Sequence, residues 1–135
     1  MALPDLPSPD LVSIERIKTR PSFLAAAKGA SCARGAVVVQ ALDRADGQGL
    51  IRCGFTATRR IGGAVTRNRA KRRLREAAAR LAPLHGKPGC DYVFIARAGT
   101  AKRPWVRLLD DVESALISLA ANQVPAADRP AAASR

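Results

Sequence analysis

The sequence predicts one α+β domain: a small sheet with an apolar face under helices, an open opposite face, and one helix dense in arginine. Three observations predict it. Short strand-like runs lie at residues 37–42, 52–58 and 91–97. Apolar side chains recur at helical spacing in two longer segments. Glycine and proline punctuate the joints between them. A length of 135 residues fits one domain. The composition is 47% hydrophobic but only 4% aromatic, so the core must be mostly Ala, Val, Leu and Ile.

In chain order, residues 1–13 hold three prolines and two aspartates and are expected to be a disordered tail. Ser22 can cap a short helix over 23–28, ended by Gly29. Residues 37–42 are a β-branched strand. Residues 43–49 (DRADGQG) are a turn, with Asp46-Gly47 the sharpest signal. Residues 52–58 form the return strand. Its alternation sets Cys53, Phe55 and Ala57 on one face and Arg52, Gly54, Thr56 and Thr58 on the other. One face is apolar and the other polar, as in a sheet open to a ligand on one side.

Gly62-Gly63 breaks the chain before a helix that starts at about Ala64. Ala70, Leu74, Ala77 and Leu81 span only about 60° of its wheel, a narrow stripe able to dock on a sheet. Pro83 is expected to end it, with a loop at 84–89. Residues 91–97 read as an interior strand. Pro104 opens a last helix whose Trp105, Leu108, Leu109, Val112, Leu116 and Leu119 make a core stripe. The domain covers 14–121, and 122–135 is expected to be a second disordered tail.

The functional signal is in residues 59–80, RRIGGAVTRNRAKRRLREAAAR. Nine basic residues and one acid give this stretch +8 of the chain's net +12. On a helix, Arg67/Lys71, Arg69/Arg73 and Lys71/Arg75 are like-charge i, i+4 pairs, each costing about 0.2–0.5 kcal/mol. A polyanion that neutralises them accounts for the clustering, and a nucleic-acid backbone is the abundant one. Folded RNA suits this helix better than duplex DNA. No second helix and turn precede it, no heptad zipper follows it, and arginine forks match irregularly placed phosphates.

Several chemistries lack support. The three cysteines form no C-x-x-C pair and read as free thiols of a reducing cytosol. The single histidine, His85, falls in the expected loop, which disfavours a zinc site. The first residues show no signal peptide, and no apolar run reaches the roughly 18 residues of a membrane span. The acids Asp110, Asp111 and Glu113 are too closely spaced to share one helix face and read as solvated, so a protein-held catalytic metal is not expected. Gly62-Gly63 is either a turn that needs glycine or a phosphate contact ahead of a helix.

Residues 54–76, GFTATRRIGGAVTRNRAKRRLRE, resemble the signature of the protein subunit of bacterial ribonuclease P. Its centre is Arg67-Asn68-Arg69, followed by Lys71, Arg72, Arg73 and Arg75. The likeness extends over about residues 14–120. It implies a small α/β sandwich of ribosomal-protein-S5-domain-2 type with a left-handed βαβ crossover. It further implies a partner RNA that is itself the catalyst and holds Mg²⁺, and a precursor tRNA whose 5′ leader is removed. By the same resemblance, Arg59, Arg60, Arg67, Asn68, Arg69, Lys71, Arg72 and Arg75 would contact the catalytic RNA. Phe23, Gln40, Thr56 and Thr58 would line the leader cleft. Gln40 and Ala27 stand where some members carry aromatics, which weakens expected stacking. No catalytic residue, membrane or obligate protein partner is implied, and the setting would be cytoplasmic. The rival classes are an RNA-binding protein of the ribosome or its assembly, and a nucleoid-type DNA binder.

Overall fold

A five-stranded mixed sheet organises residues 14–45 and 49–122, those described by the computed structural model. The expected tail at 1–13, all of the expected tail at 122–135 but its first residue, and the Asp46-Gly47 turn lie outside the described residues; Asn122 itself is the last residue of a helix, not tail. The strands are β1 (Ile14–Arg16), β2 (Ala30–Arg34), β3 (Val37–Asp43), β4 (Ile51–Thr56) and β5 (Cys90–Ala96). The helices are α1 (Arg20–Ala27), α2 (Ala64–His85) and α3 (Trp105–Asn122).

Sheet order is β1-β4-β5-β3-β2. β4 runs parallel to both β1 and β5, while β3 runs antiparallel to β5 and β2. The expected hairpin of 37–42 with 52–58 is therefore wrong, because β5 lies between them. β5 is buried at every position but one, and an apolar strand gains most at the sheet centre, with a partner on each side. Sequence nearness favoured the hairpin, but burial of β5 decided the order. The parallel β4–α2–β5 unit supplies the crossover. β1 and β2 are edge strands that the sequence did not predict; each is short and largely exposed, so neither carries a clear alternation.

Helices α2 and α3 cover one face. Ala70, Leu74, Ala77, Ala78 and Ala82 of α2 are buried with Val37, Val39, Ile51, Cys53, Tyr92 and Phe94 of the sheet and Leu108, Val112, Leu116 and Leu119 of α3. The expected α2 and α3 stripes are thus core, with Leu81, Trp105 and Leu109 packed at its margin. The alanines let α2 lie close to the sheet, which compensates for the scarcity of aromatics. Phe55 and Phe94 stack there at 5.4 Å between centroids.

Helix α1 lies on the other face, where Ala26, Ile17 and Val93 form a second, smaller core. That face is only partly open. α1 starts at Arg20 with Thr19 at its N-cap and Pro21 in its first turn, earlier than the Ser22 cap predicted. Pro fits there because the first-turn N–H has no helical partner to lose. Pro83 does not end α2, which runs to His85 and stops at Gly86. The carbonyl that Pro83 leaves unpaired belongs to exposed Ala79, where water can replace the bond. His85 is consequently helical, not in a loop, with Nε2 2.9 Å from Glu113 Oε2.

The acids of α3 are not simply solvated. Asp111 is only 9% exposed. It accepts bonds from the Ala36 N–H at 3.0 Å and from Arg103 Nε at 2.9 Å, tying α3 to the β2–β3 turn. Asp91, 1% exposed, joins three strands: Arg52 of β4 grips both its oxygens at 2.8 and 2.6 Å, and Arg44 beyond β3 binds it at 2.7 Å.

Candidate nucleic-acid interface

The basic residues of α2 separate into rows because side chains four apart share a helix face. Arg67, Lys71 and Arg75 form one row beside the sheet and are half-buried. The Nε of Arg67 is buried without a hydrogen-bond partner among the described residues. Arg75 reaches the rim of a groove between α2 and the β1 edge, lined also by Ile14, Arg16, Phe55 and Ala79. Arg16 lies over the Phe55 ring, 5.7 Å from its centroid. Asn68 and Arg72 start a second row and are exposed, as is Arg69 in the third.

Arg73, in the middle of the basic run, has a different role. Its guanidinium donates to the Thr100 carbonyl at 2.6 Å and to the Arg103 carbonyl, and packs over Trp105. Partial burial, and then the neighbouring Arg69 charge, lower its pKa from the ordinary arginine value. This arginine holds the β5–α3 loop. The sequence alone could not separate it from its neighbours.

Ahead of α2, exposed Arg59 and Arg60 sit on one 3₁₀ turn, Arg59–Ile61, with Thr58 at its N-cap. Gly62 closes the turn at φ 142°, a conformation that L side chains rarely adopt. Gly63 caps α2 and its carbonyl accepts from the Arg67 N–H at 2.9 Å. A turn that requires glycine therefore accounts for Gly62.

The second set of expected residues meets on the α1 face. Lys18, Thr19, Arg20, Phe23 and Thr56 line a groove of about 370 Å³. Its placement depends on Gly54: a Cβ there would sit 2.5 Å from Phe23 Cε1, so only glycine leaves room for the ring against β4. The chemistry is an aromatic ring, two threonine hydroxyls, of which that of Thr19 is bonded to Ser22, and two cations, suited to a base with its phosphate. Thr58 lies past the end of β4, outside that lining. Gln40 sits on the same sheet face, across β5 from Gly54, and does not line the groove either. Lys18, Thr19 and Arg20 were not expected as groove residues; the basic pair just before Phe23 is the signal that could have found them.

The two surfaces lie on opposite sides of the sheet and approach each other at the end of β4, where Thr56 is followed by Thr58, Arg59 and Arg60. Among the described residues no three His, Cys, Asp or Glu side chains converge to hold a metal, and no helix is long and apolar enough to cross a membrane.

A family model described as Ribonuclease P matches residues 11–120. The ribonuclease P protein component of Caulobacter vibrioides is 59% identical over 115 residues, covering 85% of this chain and 77% of that relative. The component from Ruegeria pomeroyi is 48% identical over 108 residues, covering 78% and 86%. The solved RNase P protein of Staphylococcus aureus is 27% identical with a TM-score of 0.64, over 78% of this chain and 94% of that one. The Thermotoga maritima RNase P protein gives 26% and 0.66, over 76% and 96%.

Proposed function

This chain belongs to the ribonuclease P protein family, and on that premise we propose that it acts as the protein subunit of the ribonucleoprotein that removes the 5′ leader of precursor tRNA. The catalytic centre is the partner RNA, and the protein contributes binding, positioning and charge neutralisation. The carrying observation is the pair of RNA-suited surfaces that meet at the end of β4.

Exposed Asn68, Arg69 and Arg72 of α2, the half-buried row of Arg67, Lys71 and Arg75 beside them, and Arg59 and Arg60 ahead of the helix take the phosphates of the catalytic RNA. The groove of Phe23, Thr56, Lys18 and Arg20 takes the single-stranded leader, with one base stacked on Phe23. Thr58 lies between them, and Gln40 stays outside the groove, across β5 from Gly54. One small protein thereby spans two RNAs, lowering their mutual repulsion where the substrate enters. In this reading Mg²⁺ is held mainly by the RNA subunit and the substrate, and the protein's part is to neutralise phosphate around it. The place of action is the cytoplasm, where precursor tRNA is made and where buried free thiols persist.

The test is cleavage of a precursor tRNA at low Mg²⁺ with a bacterial ribonuclease P RNA, with and without this protein. Cleavage at the mature 5′ end only when both are present is expected. Cleavage by the protein alone would overturn the assignment of catalysis to RNA. Tight RNA binding with no stimulation would favour a ribosomal or assembly protein, and preference for duplex DNA at matched salt a nucleoid protein.

A further inference from the structure

Trp105 is the chain's one tryptophan and stands half-buried at the start of α3. The guanidinium carbons of Arg73 and Arg80 lie 5.7 and 5.4 Å from its ring centroid. With Arg72 and Glu76 these residues line a groove of about 340 Å³ beside the C-terminal half of α2. Its cations differ in commitment. Arg73 is spent on the Thr100 and Arg103 carbonyls. Arg80 is 56% exposed and is held by a 3.2 Å bond to equally exposed Glu76, among the weakest attachments a guanidinium makes. Arg72 is exposed and has no ion-pair partner among the described residues. Asn68, Arg72, Glu76 and Arg80 recur every fourth residue, so one row runs about 18 Å along the helix.

We infer that this groove is a second docking point for the catalytic RNA, taking a backbone phosphodiester between Arg72 and Arg80 with the adjoining sugar or base against Trp105. The inference rests on the reading that the 67–75 face of α2 meets that RNA, and extends the contact by more than one helical turn. The occupant is folded RNA and not the leader, because the groove is in the α2–α3 layer, across the sheet from Phe23. Glu76 is the competitor: its carboxylate occupies Arg80 and repels phosphate until RNA takes its place. Removing it should therefore tighten binding, a sign that a purely structural Glu76–Arg80 pair would not give.

The experiment uses the full-length protein and a bacterial ribonuclease P RNA without substrate, with affinity measured over a salt series. Arg80→Gln should bind about tenfold more weakly, with a salt slope smaller by about 1. Glu76→Gln should bind several-fold more tightly than Asp110→Asn, which removes the same charge from an exposed site on α3 outside the groove. Saturating RNA should shield Trp105 fluorescence from acrylamide. Wild-type-like binding by Arg80→Gln, no gain of Glu76→Gln over Asp110→Asn, or a Trp105 equally quenched with and without RNA overturns the inference. Arg69→Ala separates the two levels. If it weakens binding while the groove variants do not, the docking point falls and the α2 reading stands. If it too leaves binding unchanged, the α2 reading itself fails.

Discussion

Arg72 and Arg73 are adjacent and chemically identical, yet the fold gives them opposite work. Arg72 faces solvent, while Arg73 satisfies two carbonyls of the 97–104 loop and covers Trp105. Arg69→Ala with Arg72→Ala should weaken binding to the catalytic RNA while leaving Tm nearly unchanged. Arg73→Ala should cost about 1–3 kcal/mol of stability, since it leaves two partly buried carbonyls without this donor; denaturant melts of both variants check the contrast. The thiols make a second residue-scale case. All three cysteines are buried, and Cys53 is pushed up to about 12 by burial and then by the Asp91 charge. The fold thus favours the protonated thiol. Its contribution is complete below the ordinary value of 9.0 and is lost as pH rises from there toward about 12. Tm should fall over that window, and less steeply in Cys53→Ala; an equal slope in both would remove Cys53 as the cause. Alkylation of the three thiols at neutral pH should await unfolding.

At the scale of elements, β4 positions both surfaces. Its core face, Ile51, Cys53 and Phe55, packs in the layer of α2, and its other face carries Arg52, Gly54 and Thr56. Asp91 clamps one end of that second face through Arg52. Breaking this buried pair by Asp91→Ala should cost about 3–5 kcal/mol, because two guanidiniums lose this carboxylate where one is nearly buried. A loss under about 1 kcal/mol in urea melts would show that water replaces the carboxylate. At the middle of the same face, Phe23→Ala should raise KM for a precursor with a long leader by the equivalent of about 1–3 kcal/mol. A precursor with a single leader nucleotide should be almost unaffected, and equal effects on both would remove the groove from the leader's path. Gly54→Ala should reproduce the Phe23 phenotype, since the added methyl displaces the ring.

At the scale of the molecule, the sheet separates two basic surfaces and β4 ends where they meet. The affinity for catalytic RNA should fall steeply with salt, with a slope near −0.7 to −0.9 per phosphate contacted. What the sequence determined alone is whatever depends on local order: α2 and α3 from their 3.6-residue periods, β5 as an apolar interior strand, and the RNA-binding class from charge packed into residues 59–80. The family signature was legible for the same reason, since those residues are contiguous. The tertiary structure decided what depends on partners far along the chain. It inserted β5 between β3 and β4, because burial of the most apolar strand outweighs the closeness of a hairpin. It made edge strands of β1 and β2, which have too little apolar pattern to be seen alone. It made structural ties of Asp91, Asp111 and Arg73, because each found complementary groups from distant segments. It also gathered Lys18, Arg20, Phe23 and Thr56 around one groove while leaving Gln40 outside, since β5 separates Gln40 from Gly54. Charge and period are properties of a segment; which charge is free for RNA depends on what packs beside it.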